Sequence, residues 1–350
     1  MRLRSYMRCA LSKLCLYGTV LNSVDTVERS IRSVFRPDAD IVITDGGSRD
    51  GTYERLLEIS KDYNLRVYRA PGSSRGLGRQ IALARCPEGS YTAYFDLDDE
   101  YNEYFHRSID WGVATGSSRP LYYLYNREYL LSRGGWGDLN FAEDFELWAR
   151  AGFDYYLPVI YRARMRGTGA RSLADYELKR YARGTWGSFM RTVRHQVDLV
   201  RGLGYSLGEY LREPAFRRRP YLRPAAALMY GVAYIKGIKR YDKRFNNHDL
   251  FYYVSLQKLV DPVKELKADE RYVSILVKYE TALNLGLSWV AKRLAGVGLR
   301  PYICKQERGS SLAGLKDLRA IDIVNTSVYY RLLTCRPLEE ASLEGLGQVT

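Results

Sequence analysis

Four apolar runs recur in the first hundred residues, LCLYGTV (14–20), IVIT (41–44), RVYRA (66–70) and YTAYF (91–95), with helix-like spacing between them. The intervening helical segments are VERSIRSVF, where Asp25 and Glu28 are placed to form a capping box, then TYERLLEISKDY and RQIALAR. Strand–helix alternation of this kind builds βαβ units, hence a largely parallel sheet with helices on both faces. Such a sheet binds ligands beyond the carboxyl ends of its strands. Polar clusters follow three of the four runs: Asp45 after the second, Ser73 to Arg79 after the third, Asp96 to Asp99 after the fourth. All are expected to meet in one crevice.

The last cluster, YFDLDDEY (94–101), gathers acids at a strand end in a chain with 54 Lys+Arg against 40 Asp+Glu. A solvated turn or a helix cap would explain an isolated Asp there. Asp96 and Asp98, two residues apart, can instead turn toward one hard cation, and Mg²⁺ or Mn²⁺ held by one or two carboxylates completes its shell with water and phosphate oxygens. Two lookalikes fall away. GLG at 76–78 lacks the third glycine of a dinucleotide fingerprint, and DGGSRDGT (45–52) has no lysine after its glycines, so it is not a phosphate loop of the Walker type. A nucleotidyltransferase would carry a Gly-rich basic loop after the first strand, where this chain has TVLNSVDT.

Taken in order, DGGSRDGT (45–52), GLGRQIALA (76–84), YFDLDDEY (94–101) and GGWGDLNFAEDFELWARAGF (134–153) resemble the family 2 glycosyltransferases of the GT-A fold, over roughly residues 14–165. The resemblance implies an α/β nucleotide-diphospho-sugar transferase with a Rossmann-like mixed sheet, acting with Mn²⁺ or Mg²⁺ and inverting the sugar carbon. By it, Asn22, Asp45, Arg79 and Asp96 would bind the donor, a UDP- or GDP-linked sugar. Asp96 and Asp98 would hold the metal, and Asp144 would be the catalytic base. Trp136, Glu143 and Trp148 would lie on the acceptor side, the acceptor being a glycan, a lipid-linked molecule or a protein. Gly46 stands where the family usually has a second Asp. A retaining GT-A transferase acting on a small phosphorylated acceptor is the alternative within enzymes, and a non-catalytic basic module for nucleic acid or membrane is the alternative outside them.

Residues 1–170 are expected to form the catalytic domain, 171–300 a mostly α-helical basic region, and 301–350 a small tail. Phe189, Val193, Val197 and Val200 fall on one face of a helix. Residues 212–244 hold ten Arg or Lys around the apolar segment AAALMYGVAYI (225–235). With a net charge of +14, that arrangement reads as a solvated basic face or as docking on an anionic membrane surface, ahead of nucleic-acid binding, for which no recognition motif is present. The five cysteines are scattered without a CxxC pair, which predicts a reducing compartment and no disulfide framework. Lys13 interrupts the apolar stretch after the basic MRLRSYMR, against a cleaved signal peptide. The expected location is cytoplasmic, peripheral at the inner membrane face. Tyr101, Tyr104, Tyr122, Tyr123 and Tyr125 are sugar-stacking candidates as well as ordinary sheet residues, and the histidines (His106, His195, His248) read as structural or surface groups.

Overall fold

The first strand, β1 (Leu14–Val20), is buried along almost its whole length and paired on both edges, as its unbroken apolar run requires. It runs parallel to β2 (Ala39–Asp45) on one side and to β4 (Tyr91–Tyr94) on the other; β2 carries β3 (Leu65–Arg69), again parallel. The structure is a computed structural model describing residues 13–157, 159, 161–164, 186–211, 220–238, 258–269, 274–277, 302–306, 321–324 and 333–337. The sheet order is β3-β2-β1-β4-β6, where β6 (Leu124–Asn126) is antiparallel to β4. This is the mixed α/β sheet expected. The chain first moves outward from β1 to β3, then returns to lay β4 on the other side. The gap between the ends of β1 and β4 is therefore the topological switch point where such sheets bind ligands.

Local sequence explains the helices between these strands. In α1 (Val27–Val34), Val27, Ile31 and Val34 form the buried stripe. The expected capping box is not made: Thr26 occupies the cap position without a side-chain cap bond. Its hydroxyl donates instead to the Leu97 carbonyl at 3.0 Å, and Glu28 is drawn to Arg32 and Arg55. Helix α2 (Thr52–Ile59) follows β2, and α3 (Arg75–Ala84) starts one turn earlier than its spacing suggested, capped by the Ser74 hydroxyl, which accepts from the Leu77 N–H. The GLG glycines thus lie inside α3. A Cβ on Gly78 would stand 2.2 Å from the Thr19 hydroxyl oxygen, so the residue is small to let α3 press on β1. Gly18 does the same on the other face of the strand: a Cβ there would meet the Phe95 carbonyl at 2.7 Å, just where the chain leaves β4.

Beyond β4 come β5 (Asp99–Tyr101), α4 (Glu103–Ala114), α5 (Arg127–Ser132), α6 (Glu143–Ala151), β7 (Tyr155–Tyr156) and β8 (Arg162–Arg164). Helix α6 ends on Gly152 at φ 65°, the expected glycine stop. β8 pairs antiparallel with β5, bringing Arg162 opposite Tyr101. Further on, α7 (Trp186–Leu203), α8 (Leu207–Leu211) and α9 (Arg223–Ile235) pack together, with Val197 and Val200 buried on α7 and Val193 packed beside them. The C-terminal half also carries a four-stranded antiparallel sheet (Ser274–Val277, Ile321–Val324, Tyr302–Gln306, Leu333–Pro337), which no pattern in the sequence had placed. Most of the basic residues of 212–244, and His248, lie outside the described residues.

The expectation for the cysteines is overturned as well. Cys15 and Cys86 form a disulfide, tying β1 to the turn after α3. They are 71 residues apart, and only the α3–β1 packing brings them together, so spacing gave no sign of the bond.

Candidate active site

The crevice at the switch point has two sides. The first is built on the loop after β2. Asp45, fully buried at the end of that strand, uses Oδ1 to accept from the backbone N–H groups of Gly47 and Ser48, both at 3.0 Å. Its Oδ2 has no hydrogen-bond partner, and neither has the nearby buried hydroxyl of Ser73. Buried polar atoms are nearly always paired, so two orphans on one wall mark a place where a ligand's polar edge belongs. Asn22, at φ 52°, pins the loop: its Oδ1 accepts from the Arg49 N–H at 3.0 Å and its own N–H donates to the Ser48 hydroxyl at 2.9 Å.

The second side is a network of charges. Asp96, Asp98 and Asp99 each offer a carboxylate oxygen within 4.8 Å of the others. Arg79 donates to Asp96 Oδ1 through Nη2 and to Glu143 Oε1 through Nη1 at 2.9 Å. Its guanidinium is 3% exposed and lies over the rings of Tyr94 and Trp136, at 4.9 and 4.7 Å from their centres. From β8, Arg162 Nη1 donates to Asp96 Oδ2 at 2.9 Å and to Asp99 Oδ2 at 3.0 Å. Burial works against the charge of Arg79, but the facing carboxylates of Asp96 and Glu143 outweigh it and hold its pKa above the ordinary arginine value.

Asp144 stands in the first turn of α6, its Oδ1 accepting from the Phe145 N–H at 2.9 Å. It shares a pocket with Arg79, Asp96, Arg162, Trp148 and five tyrosines, Tyr94, Tyr101, Tyr122, Tyr123 and Tyr161. Desolvation there pushes its carboxyl up to about 6, the Glu143 charge adds to the rise, and Arg79 opposes it. A carboxylate with that value is basic enough to take a proton near neutral pH and is ionised when it does so. Burial also pushes the phenols of Tyr94, Tyr123 and Tyr161 well up, so they line the pocket as neutral hydroxyls.

A divalent cation fits these residues. Its donors would all be carboxylate oxygens, the set hard cations take. Around them, the carboxylates of Asp96, Asp98, Asp99, Glu143 and Asp144 outnumber the guanidiniums of Arg75, Arg79 and Arg162.

Arg79, Asp96, Asp144 and Trp148 thus line one pocket, with Asp98 in the acidic trio and Glu143 bonded to Arg79, while Asn22 and Asp45 belong to the loop at the end of β2. Trp148 borders the pocket and donates its indole N–H to the Tyr122 carbonyl at 2.8 Å. Trp136 is buried beneath Arg79, its indole N–H donating to the Tyr17 hydroxyl at 2.9 Å. Of the tyrosine candidates, Tyr101, Tyr122 and Tyr123 line the pocket, whereas Tyr104 and Tyr125 do not. His106 faces the Ser33 carbonyl at 3.0 Å and His195 stacks on Phe141, both structural roles. Sequence reasoning missed Asp99, Tyr94, Tyr161 and Arg162. Asp99 stood in the acidic run and could have been included; Arg162 depends on the β5–β8 pairing, which a three-residue strand does not announce.

Residues 19–108 match the family described as Glycosyl transferase family 2, in accord with the mixed sheet and the crevice. No curated protein sequence matches the chain. Among solved structures, S. aureus TarS 1–349 in complex with UDP-GlcNAc aligns over 63% of this chain and 80% of its own, at 16% identity and a TM-score of 0.42. The mannosyltransferase PcManGT from Pyrobaculum calidifontis, in complex with GDP-Man and Mn²⁺, aligns over 65% and 76%, at 15% identity and 0.34. Glucosyl-3-phosphoglycerate synthase from Mycobacterium tuberculosis, with Mn²⁺ and UDP-Glc, aligns over 56% and 81%, at 18% and 0.37. The chain spans 54% of the longer S. aureus TarS structure, at 16% identity and a TM-score of 0.39.

Proposed function

We propose that this chain is a metal-dependent glycosyltransferase that moves a sugar from a nucleoside diphosphate to an acceptor hydroxyl with inversion. The observation that carries the reading is Asp144, a carboxyl raised to about 6 in a pocket shared with Arg79, Arg162 and Asp96. The nucleobase lies on the Asp45 side, where Oδ2 and the Ser73 hydroxyl accept or donate to its polar edge. A divalent cation held by Asp96, Asp98 and Asp99 would neutralise the departing diphosphate. Arg79, locked by Glu143, holds the Asp96 carboxylate in place. Asp144 takes the proton of the acceptor hydroxyl as its oxygen bonds to the anomeric carbon. The bond from that carbon to the diphosphate oxygen breaks, and the nucleoside diphosphate leaves with the electron pair. One base and one displacement turn the carbon over once, hence inversion.

A thermal-shift panel of UDP, GDP and dTDP sugars, with and without Mn²⁺, tests the reading. A ligand that binds only the folded chain must stabilise it, so a nucleotide sugar with Mn²⁺ is expected to raise the Tm and to be hydrolysed slowly. A chain that ignores every nucleotide, yet binds DNA or RNA with steep salt dependence, would be a binding module instead.

On the acceptor side, we infer presentation at an anionic membrane surface. No described helix is long and apolar enough to cross one. Helix α9, however, turns Leu228, Val232 and Ile235 outward, at 75%, 44% and 85% exposure and at i, i+4, i+7 spacing, inside the basic stretch 212–244. Cosedimentation with anionic vesicles, lost in high salt and in the L228E/V232E/I235E variant, is the expected result. Equal binding by that variant would refute it.

A further inference from the structure

Arg79 and Arg162 grip the same carboxylate, Asp96, in different ways. Arg79 is walled in, forked between Asp96 and Glu143 and covered by two aromatic rings. Arg162 reaches Asp96 and Asp99 with a single nitrogen, Nη1, while its side chain is 42% exposed. A guanidinium binds best as a two-pronged fork, and a diphosphate offers that geometry where two separate carboxylates do not.

Space at the acidic trio points the same way. Nη1 bridges Asp96 Oδ2 and Asp99 Oδ2 at 2.9 and 3.0 Å, and a small divalent cation on that pair would need both oxygens at about 2.0–2.1 Å. Both cannot occupy the bridge at once. The pocket beside it is narrow, with about 30 Å³ open to water-sized molecules, room for a water or two. Arg162 is the exposed member of the lining, its neighbours there being buried or half-buried, so it is the side chain freest to withdraw.

We propose that Arg162 is a latch. In the empty chain it serves as the counter-cation of Asp96 and Asp99; when a divalent cation arrives with a nucleoside diphosphate, it leaves the carboxylates, grips the diphosphate oxygens and opens the pocket. This rests on the transferase reading above. It requires opposite effects on two affinities when Arg162 is removed. Mn²⁺ alone loses a competitor and binds more tightly, whereas the nucleotide loses a partner and binds more weakly.

The test is Mn²⁺ titration followed by electron paramagnetic resonance, then UDP and GDP titration by calorimetry at saturating Mn²⁺, on wild type, Arg162→Met and Arg162→Lys. The size of a hydrogen bond to a charged group sets the scale at about tenfold each way for Met. Lys, which keeps the charge but loses the fork, should fall between. A residue that merely braces β8 against β5 would shift both affinities in the same direction; that result, or Mn²⁺ binding no tighter in Arg162→Met, overturns the latch while leaving the transferase intact. Wild type that binds Mn²⁺ but neither nucleotide overturns both. Should Arg162→Met fail to fold, the Lys variant decides by the same opposed signs.

Discussion

The two sides of the crevice are built on different principles. The Asp45 side is local: a single loop, 45–52, folded back on the end of its own strand by backbone hydrogen bonds and pinned from Asn22. The Asp144 side is assembled at long range, with Arg79, Asp96, Glu143 and Arg162 drawn from four segments and held by charge. The local side can be preformed and rigid, suited to reading a flat base. The charged side holds together through mutual neutralisation, so it responds when a ligand adds or removes charge. The difference implies that substitutions on one side change recognition and on the other change stability and turnover.

The severest way to break that contrast is at Arg79. Arg79→Met leaves buried Glu143 and half-buried Asp96 facing each other uncompensated, and breaking a buried pair costs about 3–5 kcal/mol. Chemical denaturation should show the loss; a drop below 1 kcal/mol would mean that the network does not hold the fold. On the other side, Asp45→Asn replaces an acceptor with a donor at one of the two carboxylate oxygens. Nucleotide affinity should fall about 10- to 100-fold, with the Tm nearly unchanged, as calorimetry and thermal shift can check together.

Asp144 sharpens the comparison by pH. Its folded carboxyl titrates near 6 against an ordinary value of 3.8, so ionising it costs the native state stability in full above about pH 6 and not at all below about pH 4. Asp144→Asn should therefore stabilise the protein by about 1–3 kcal/mol at pH 7 and leave it unchanged near pH 4. Equal stability of both proteins at pH 7 would show that the carboxyl is not raised. The smallest effect is expected at Asn22: Asn22→Ala removes one loop acceptor, worth about 1 kcal/mol, and should weaken nucleotide binding a few-fold without touching the Asp144 profile.

Legibility in the sequence followed the same divide. Strands β1 to β4 could be read because each is a short apolar run closed by turn residues, and Asp45 and Asp96 were placed simply by standing at strand ends. Asp144 could be found by resemblance. What escaped were contacts set by packing: Arg79 reaching Glu143 across 64 residues, Arg162 reaching Asp96 across 66, and the Cys15–Cys86 bond across 71. The capping box failed for a related reason, since the Thr26 hydroxyl serves a carbonyl 71 positions away. The GLG glycines looked like a ligand loop because small residues permit either a phosphate or a neighbouring strand to approach.

The most direct test of the central claim is donor binding and turnover measured side by side in wild type and Asp144→Asn, across pH 4 to 9. The account expects unchanged donor affinity at neutral pH, a turnover loss of about 10²- to 10⁴-fold, and a wild-type rate that falls as pH drops through about 6 and flattens in the variant. An Asn variant that turns over at near-normal rate, with the acid limb still in place, would contradict it.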